Sequence, residues 1–546
     1  MTQTTVPAAA QPKTESAAER SLAEQAEVSF ARWGDRPVLW FEGRWWRSGE
    51  LRARAQAWAG GLRDDLGVRP GDRVVVLLPN VPEVGIAYAA AWRVGAVLTP
   101  VVFLIGGHEL AHVLADSGAV VVVTSPEFLP KVLVASPGSA VRTVVVVGGD
   151  DQDSDGQGGS VDAADEGSGD TPPQVVPSAR LEAAARLEEL VPRRSDELAA
   201  LLYTGGTTGR AKGVMLTHAG LQAAGRSGAD VSHVDGVTRT LLPLPLSHAY
   251  GLLVSVVGLH VHEPAESILM RWFDAAAFVR LVQELRPHRA AVVPAMLALL
   301  MAQPLEDFDL SSLRFIGSGG APLSLELAQA LEARLPGVTV SEGYGMTESS
   351  ALLTSQSPSE RRAGTVGRAV PGVEVRIVDV ETGEVLPAGR EGEIVARGAS
   401  LMAGYWHDPD ATARTVVDGW LHTGDVGVLD DDGYLRVVDR LKDLVIRGGF
   451  NVYPRDVEDA LLEHPDVILA GVVGRPDPVL GEEVVAFVSL REGAAVTGAD
   501  VAAWARERVA AHKRPREVHV LDAIPLTSVG KLDRKTLRAR LTQPQG

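Results

Sequence analysis

No cysteine occurs among these 546 residues, which removes disulfides, thiolate catalysis and Cys-ligated metals from consideration. A basic excess is missing as well. With 70 Asp and Glu against 52 Lys and Arg, the net charge is −18, the opposite of what a nucleic-acid binder needs. Part of that charge is local: Asp150 to Asp170 holds eight acidic residues and no Lys or Arg, leaving about −10 for the rest. No apolar run reaches the roughly 20 residues that cross a bilayer, so no transmembrane segment is expected. Met1 to Arg20 has neither the basic nor the apolar stretch of a secretory leader, and a soluble, cytoplasmic protein is expected.

What the chain does have is 45% apolar residues over a length too great for one core, so two or more domains are expected. Residues 1–20 read as a disordered tail. Val38 to Trp46 reads as a hairpin turning at Glu42-Gly43. From Gly71 onward, β-branched runs (Arg73 to Leu78, Ala96 to Leu98, Gly118 to Thr124, Thr143 to Val147) alternate with helical segments. That pattern predicts parallel strands covered on both faces. Residues 148–174 read as an acidic, flexible insertion. A second α/β block is predicted from Leu198 to about Ile377, followed by short strands such as Gly392 to Arg397 and Gly433 to Val438. The charged stretch Asp439 to Asp443 then separates two strand-like runs and reads as a hinge. Beyond it, a helix at Val457 to Leu462, strands at Val467 to Val473 and Val484 to Leu490, and a helix at Val501 to Ala511 suit a small α+β lid.

The densest chemistry lies in Leu201-Leu-Tyr-Thr-Gly-Gly-Thr-Thr-Gly-Arg-Ala-Lys-Gly213. Glycines let successive backbone N–H groups turn toward an anion, Thr204, Thr207 and Thr208 add hydroxyls, and Lys212 adds a point charge. The spacing is not that of the P-loop G-x-x-x-x-G-K-[ST], so another polyphosphate-binding architecture is implied. A flexible Gly/Thr turn is the alternative. Further segments decide between them: Tyr344-Gly-Met-Thr-Glu348, Trp420-Leu-His-Thr-Gly-Asp425, Asp439-Arg-Leu-Lys-Asp443 and Pro525-Leu-Thr-Ser-Val-Gly-Lys531. In this order the set resembles the adenylate-forming superfamily (acyl-CoA synthetases, stand-alone adenylation domains, beetle luciferases). The resemblance runs from about residue 25 to about residue 540 and is nearest to fatty acyl-CoA synthetases.

The resemblance implies activation of a carboxylic acid by ATP to an acyl-adenylate, then transfer to the thiol of CoA or of a carrier protein's phosphopantetheine. It assigns Thr204, Gly205, Gly206, Thr207, Thr208, Gly209 and Lys212 to the phosphates. Gly205 and Ala211 stand where many relatives carry Ser and Pro. Tyr344, Gly345 and Met346 go to the adenine, beside Gly319, Gly320, Ala321 and Pro322. Thr347 goes to the α-phosphate, Glu348 and Thr208 to Mg2+, and Asp425 and Arg440 to the ribose. Lys442 is the pivot of a rotating lid, and Lys531 enters the site for adenylation and leaves when the lid turns. Gly448 and Gly449 flank the pantetheine arm. Each assignment has a plainer counterpart: Tyr344 to Glu348 as a capped turn, Pro322 at a helix N1, Asp425 as a turn residue, Lys442 and Lys531 as surface lysines.

Pro245-Leu-Ser-His-Ala-Tyr-Gly251 matches the segment lining the acyl pocket, with His248 near the carboxylate and Ala249, Tyr250 and Gly251 along the chain. Ala249 offers no partner for an amine, so an apolar acid is expected, medium- or long-chain aliphatic ahead of a cinnamate or benzoate. Acyl-carrier loading and luciferase-type oxygenation are the neighbouring alternatives, and a monomer or homodimer is expected. A competing pattern, His108-Glu-Leu-Ala-His112, satisfies H-E-x-x-H and would make a zinc hydrolase if a third ligand stood nearby.

The fold expected is thus a large N-terminal domain (residues 21–438) of parallel α/β layers with a small β-rich part. A hinge at 439–443 joins it to a mobile α+β lid (444–546).

Overall fold

The computed structural model describes residues 20–148, 172–204, 210–491, 493–527 and 532–542. Its centre is two mainly parallel sheets. In space, the first runs Gly404–Tyr405, Lys212–Thr217, Leu198–Thr204, Val97–Pro100, Arg73–Leu77, Val121–Thr124, Thr143–Val146 and Gln174–Pro177. The second runs Arg368–Ala369, Thr354–Ser355, Thr339–Tyr344, Phe315–Ser318, Arg289–Val292, Arg239–Leu242, Glu266–Leu269, Pro37–Phe41 and Arg44–Arg47. The β-branched runs sit in the middle of these sheets because they fit a pleat buried on both faces: Val74, Val75, Val76 and Leu77 are all fully buried. Each such side chain removed from water contributes about 1.5–3 kcal/mol, so these short strands act mainly by burial.

Helices Pro82–Arg93 and Gly107–Ser117 cover the first sheet. Pro82 at N1 starts one, and Gly118, at φ 57°, ends the other in the left-handed conformation. The hairpin turns where expected, with Glu42 and Gly43 both at positive φ, and its first strand joins the edge of the second sheet in parallel with Glu266–Leu269.

Two corrections to the sequence reading concern connectivity. Leu198–Thr204 and Lys212–Thr217 do not open a second block; they complete the first sheet, with Leu198–Thr204 parallel to Val97–Pro100. A continuous apolar run marks a strand but does not say which sheet it joins. Second, Gln174 is not part of a loop. It begins a strand registered on Thr143, so among the described residues the insertion has ended by Gln174. The tail 1–19 and residues 149–171 lie outside the described residues.

After the second sheet come five antiparallel strands, Val373–Val378, Gly392–Gly398, Val416–Val417, Trp420–Leu429 and Leu435–Arg440. A smaller C-terminal domain follows. Its sheet of Phe450–Val452, Val445–Arg447, Gly481–Leu490, Val467–Asp477 and Glu517–Val520 is packed by helices Pro454–Leu462, Gly498–Arg508 and Arg534–Thr542. The predicted hinge is only partly irregular: Asp439 and Arg440 finish a strand, and a 3-10 turn covers Leu441–Asp443. No described helix is long and apolar enough to cross a membrane.

Candidate active site

Parallel strands present their carboxyl ends on one edge, where the following loops gather side chains. Leu198–Thr204 leads into the Gly/Thr segment, Phe315–Ser318 into Gly319 to Pro322, and Thr339–Tyr344 into Gly345 to Glu348. Gly205 to Gly209, with Thr207 and Thr208, lie outside the described residues, as does Lys531. The ends of the Gly/Thr segment are described: Thr204 pairs with Lys212 across the antiparallel strands.

Lys212 holds its ammonium 4.9 Å over the Tyr405 ring and 3.7 Å from the Asp408 carboxylate. The Tyr405 hydroxyl donates to Glu348 Oε1 at 2.8 Å. Glu348 is 7% exposed and Tyr405 8%, so the ring, hydroxyl and carboxylate are shielded from water, while the Lys212 ammonium at the other end stays in reach of solvent. Burial and the neighbouring carboxylate push the Tyr405 phenol well above its usual range, which keeps it a donor. Thr347 and Glu348 stand in a 3-10 turn that ends at Ser350 in the left-handed region. Gly345 is required here because a Cβ would lie 2.4 Å from the Ala351 carbonyl oxygen. Met346 caps the turn, its N–H donating to Ser349 Oγ at 3.1 Å.

Tyr344 and Asp425, assigned separately to adenine and ribose, meet directly. The Tyr344 hydroxyl donates to Asp425 Oδ2 at 2.7 Å, while Arg440 Nε stands 3.2 Å from Oδ1. Arg440 and Asp425 are register partners in adjacent strands, and the Thr423 hydroxyl receives the Asp425 N–H at 3.1 Å. Burial, then the Asp425 charge, hold the Tyr344 phenol well above its ordinary pKa. Lys442, two residues past Arg440, is pulled below the usual lysine range by partial desolvation and then by Arg440; Asp443, Asp425 and Glu348 oppose that shift.

His248 N-caps helix Ala249–Val257, its Nδ1 accepting from the Tyr250 N–H at 3.2 Å. An accepting Nδ1 places the proton of the neutral ring on Nε2. Gly251 packs so tightly that a Cβ would lie 2.2 Å from the Pro245 carbonyl oxygen. The Tyr250 hydroxyl reaches the Gly317 carbonyl at 3.4 Å, and its ring is near enough to Gly319 that a Cβ there would sit 3.3 Å from it. Burial pushes the Tyr250 phenol up to about 12. Gly320 follows at φ 78°, then Ala321 and Pro322. Pro322 is not the first residue of a helix: Ser324 is the N-cap, its hydroxyl receiving the Leu327 N–H, and the helix begins at Leu325.

Gly448 and Gly449 are not gathered with these groups. Both are exposed at positive φ, the Gly448 N–H bonds the Leu480 carbonyl of its own domain, and Phe450 stacks on His512. The H-E-x-x-H helix instead contacts the start of the strand that carries Lys212. His112 Nε2 lies 2.9 Å from the Ala211 carbonyl and His108 is exposed. No group of three potential metal ligands of the His, Cys, Asp or Glu type forms among the described residues.

Three participants escaped the sequence reading. Tyr405 links Lys212 to Glu348. Arg455 of the small domain donates to the Leu323 and Val437 carbonyls at 3.3 and 3.2 Å, its N–H bonding Asp439 Oδ2. Glu342 accepts the Leu323 N–H at 3.2 Å, and burial, opposed by Arg455, pushes its carboxyl up to about 7. A tyrosine after glycine and an arginine in a helix carry no local signal of such contacts.

The AMP-binding enzyme family model matches residues 24–406, and the model of the AMP-binding enzyme C-terminal domain matches residues 456–531. Feruloyl-CoA synthase of Amycolatopsis sp is 37% identical over 494 residues, covering 90% of this chain and 93% of its own. The long-chain-fatty-acid–CoA ligase of Escherichia coli O157:H7 is 34% identical over 539 residues, covering 95% and 94%. A crystal structure of an anthranilate CoA ligase in complex with anthranoyl-AMP superposes with a TM-score of 0.84 at 25% identity, over 96% of this chain and 97% of that one. Carrying both the large AMP-binding domain and its C-terminal partner, the chain belongs to the AMP-binding enzyme family and is an AMP-forming acid–thiol ligase.

Proposed function

We propose that the acid is a short, planar aryl or arylpropenoic acid and that CoA accepts it. The observation that carries this is the position of Tyr250. Its ring lies along the Cβ-free strip of Gly317 and Gly319, and its hydroxyl bridges to the Gly317 carbonyl. Packed in contact with that strip, the ring fills the space beside it and makes a flat, rigid wall that would suit a planar acid and end the acyl site early. Ala249 leaves no amine partner. The identity to feruloyl-CoA synthase supports the same class. This moves the emphasis from the aliphatic acid expected from sequence toward an aromatic one. The fatty acid is kept as the second reading because of the identity to the long-chain-fatty-acid–CoA ligase.

In this scheme a carboxylate oxygen attacks the α-phosphorus of ATP, the bond to the β-phosphate oxygen breaks, and pyrophosphate leaves. The CoA sulfur then attacks the acyl carbon and AMP leaves with the bonding pair. Attack on phosphorus is helped by position and by cationic groups rather than by covalent chemistry from the protein. The Lys212 ammonium meets the phosphates, and Asp425, aligned by Tyr344 and Arg440, accepts from the ribose hydroxyls. The Nε2–H of His248 is a donor of the kind a substrate carboxylate accepts. The buried Glu348 carboxylate is a hard anionic donor with one oxygen held by Tyr405, which fits Mg2+. Bound there, the ion would neutralise developing phosphate charge. Lys531 and Thr347 complete the α-phosphate contacts, Lys442 pivots the small domain, and its turn brings Gly448 and Gly449 to the pantetheine arm.

Rates with cinnamate-type acids against C8–C16 fatty acids test the acid class. A higher kcat/KM for the planar acids is expected, and Tyr250→Ala should shift the ratio toward the alkyl acids. Preference of the wild type for decanoate or longer acids would replace the aryl reading with the aliphatic one.

A further inference from the structure

We propose that Tyr405 is a positioning residue that joins the phosphate cation Lys212 to the cation-binding carboxylate Glu348 and so sets the affinity of the site for a divalent metal. This deepens the ligase reading and rests on it. The segment Met402 to Asp408 is stitched to both partners through its backbone. The Met402 N–H bonds the Glu348 carbonyl at 2.8 Å, the Ala403 N–H bonds the Met215 carbonyl at 2.9 Å, and the Trp406 N–H bonds the Gly213 carbonyl at 2.7 Å. The Trp406 indole N–H donates to the Asp116 carbonyl at 3.1 Å. Tyr405 itself pairs with Val214 across the strands, and its N–H bonds Thr412 Oγ1 at 2.8 Å. The ring is therefore fixed at both backbone and side chain. It is the described side chain that touches both Lys212 and Glu348.

That placement has a chemical consequence. The hydroxyl bond to Oε1 turns the carboxylate and commits one oxygen, so Oε2 is the atom presented to a cation. The ring face holds the Lys212 ammonium at 4.9 Å, near the carboxylate yet without a direct ion pair between them. A lysine collapsed onto Glu348 would neutralise the carboxylate that a metal needs and withdraw the ammonium from the phosphates. Tyr405 thus keeps apart two charges that ATP and its metal must meet together.

Tyr405→Phe keeps the ring and removes only the hydroxyl; Tyr405→Leu removes both. Binding is read without turnover, using Mn2+ as an electron-paramagnetic probe with a non-hydrolysable ATP analogue, and the analogue alone in EDTA. Tyr405→Phe is expected to weaken Mn2+ about tenfold, the scale of one hydrogen bond to a charged acceptor, with metal-free nucleotide affinity unchanged. Tyr405→Leu is expected to weaken the metal-free nucleotide affinity as well. Mn2+ affinity in Tyr405→Phe within twofold of wild type would overturn the proposal, as would equal losses in the presence and absence of metal. Wild-type protein that binds no ATP analogue at all would instead overturn the ligase reading of the site, and this proposal with it.

Discussion

Tyr344 and Asp425 form one unit: the phenol hydroxyl of the first donates to the carboxylate of the second at 2.7 Å, across 81 residues of chain. On the proposed roles, the residue that would stack on the base also aims the carboxylate that would meet the sugar. Tyr344→Phe keeps the ring and releases Asp425 Oδ2. A hydrogen bond to a charged group is worth about 1.5–3 kcal/mol, so KM for ATP should rise about tenfold or more with KM for the acid unchanged. Initial rates at varied ATP and saturating acid check this; an unaltered KM for ATP would separate the two residues functionally.

The small domain touches the loop after Phe315–Ser318 through Arg455, whose guanidinium holds the Leu323 carbonyl while Glu342 holds the Leu323 N–H. In this orientation Gly448 and Gly449 face solvent. Arg455→Ala should loosen that orientation, slowing acid-dependent ATP–pyrophosphate exchange several-fold while thioester formation from supplied acyl-AMP is unchanged or faster. Parallel loss in both half-reactions would show that the contact is merely structural.

Lys531 is expected to act in adenylation alone. Lys531→Ala should lower adenylate formation by at least about a hundredfold, the scale of a lost charge at a reacting phosphoryl group, while thioester formation from preformed acyl-AMP survives. Stopped-flow measurement of each half-reaction checks it, and equal losses in both would contradict that role.

His218 links acidity to stability. Its Nδ1 accepts the Leu22 N–H at 3.1 Å, and burial, then Arg193, depress its pKa from 6.5 to about 4. Only the unfolded chain takes up this proton between those values. The contribution is thus fully present above about pH 6.5 and is lost as the pH falls toward 4, at about 1.4 kcal/mol per unit. Thermal midpoints measured from pH 7 to 5 should fall less steeply in His218→Gln than in the wild type; equal slopes would contradict the assignment.

Much of the architecture was legible in local pattern. The run Arg73-Val-Val-Val-Leu could hardly be anything but a buried strand, and Glu42-Gly43 could hardly avoid a tight turn. The glycines at 251 and 345 stand where a Cβ would strike a carbonyl, which explains why their motifs contain them. What pattern could not supply was long-range pairing. Leu198–Thr204 joins a sheet begun more than a hundred residues earlier, and Gln174 looks like loop until Thr143 stands beside it. The same limit hid Tyr405 and Arg455: their roles depend on partners at 212, 348 and 323, which no local spacing reveals.

The most direct test of the account is to incubate the wild-type protein with ATP, Mg2+ and a panel of aryl and fatty acids, with and without CoA, and to weigh the products. Acyl-CoA formed chiefly from the planar aryl acids, with AMP and pyrophosphate released, is the predicted result. Acyl-AMP that accumulates and ignores CoA, or no adenylate from any acid, would contradict it.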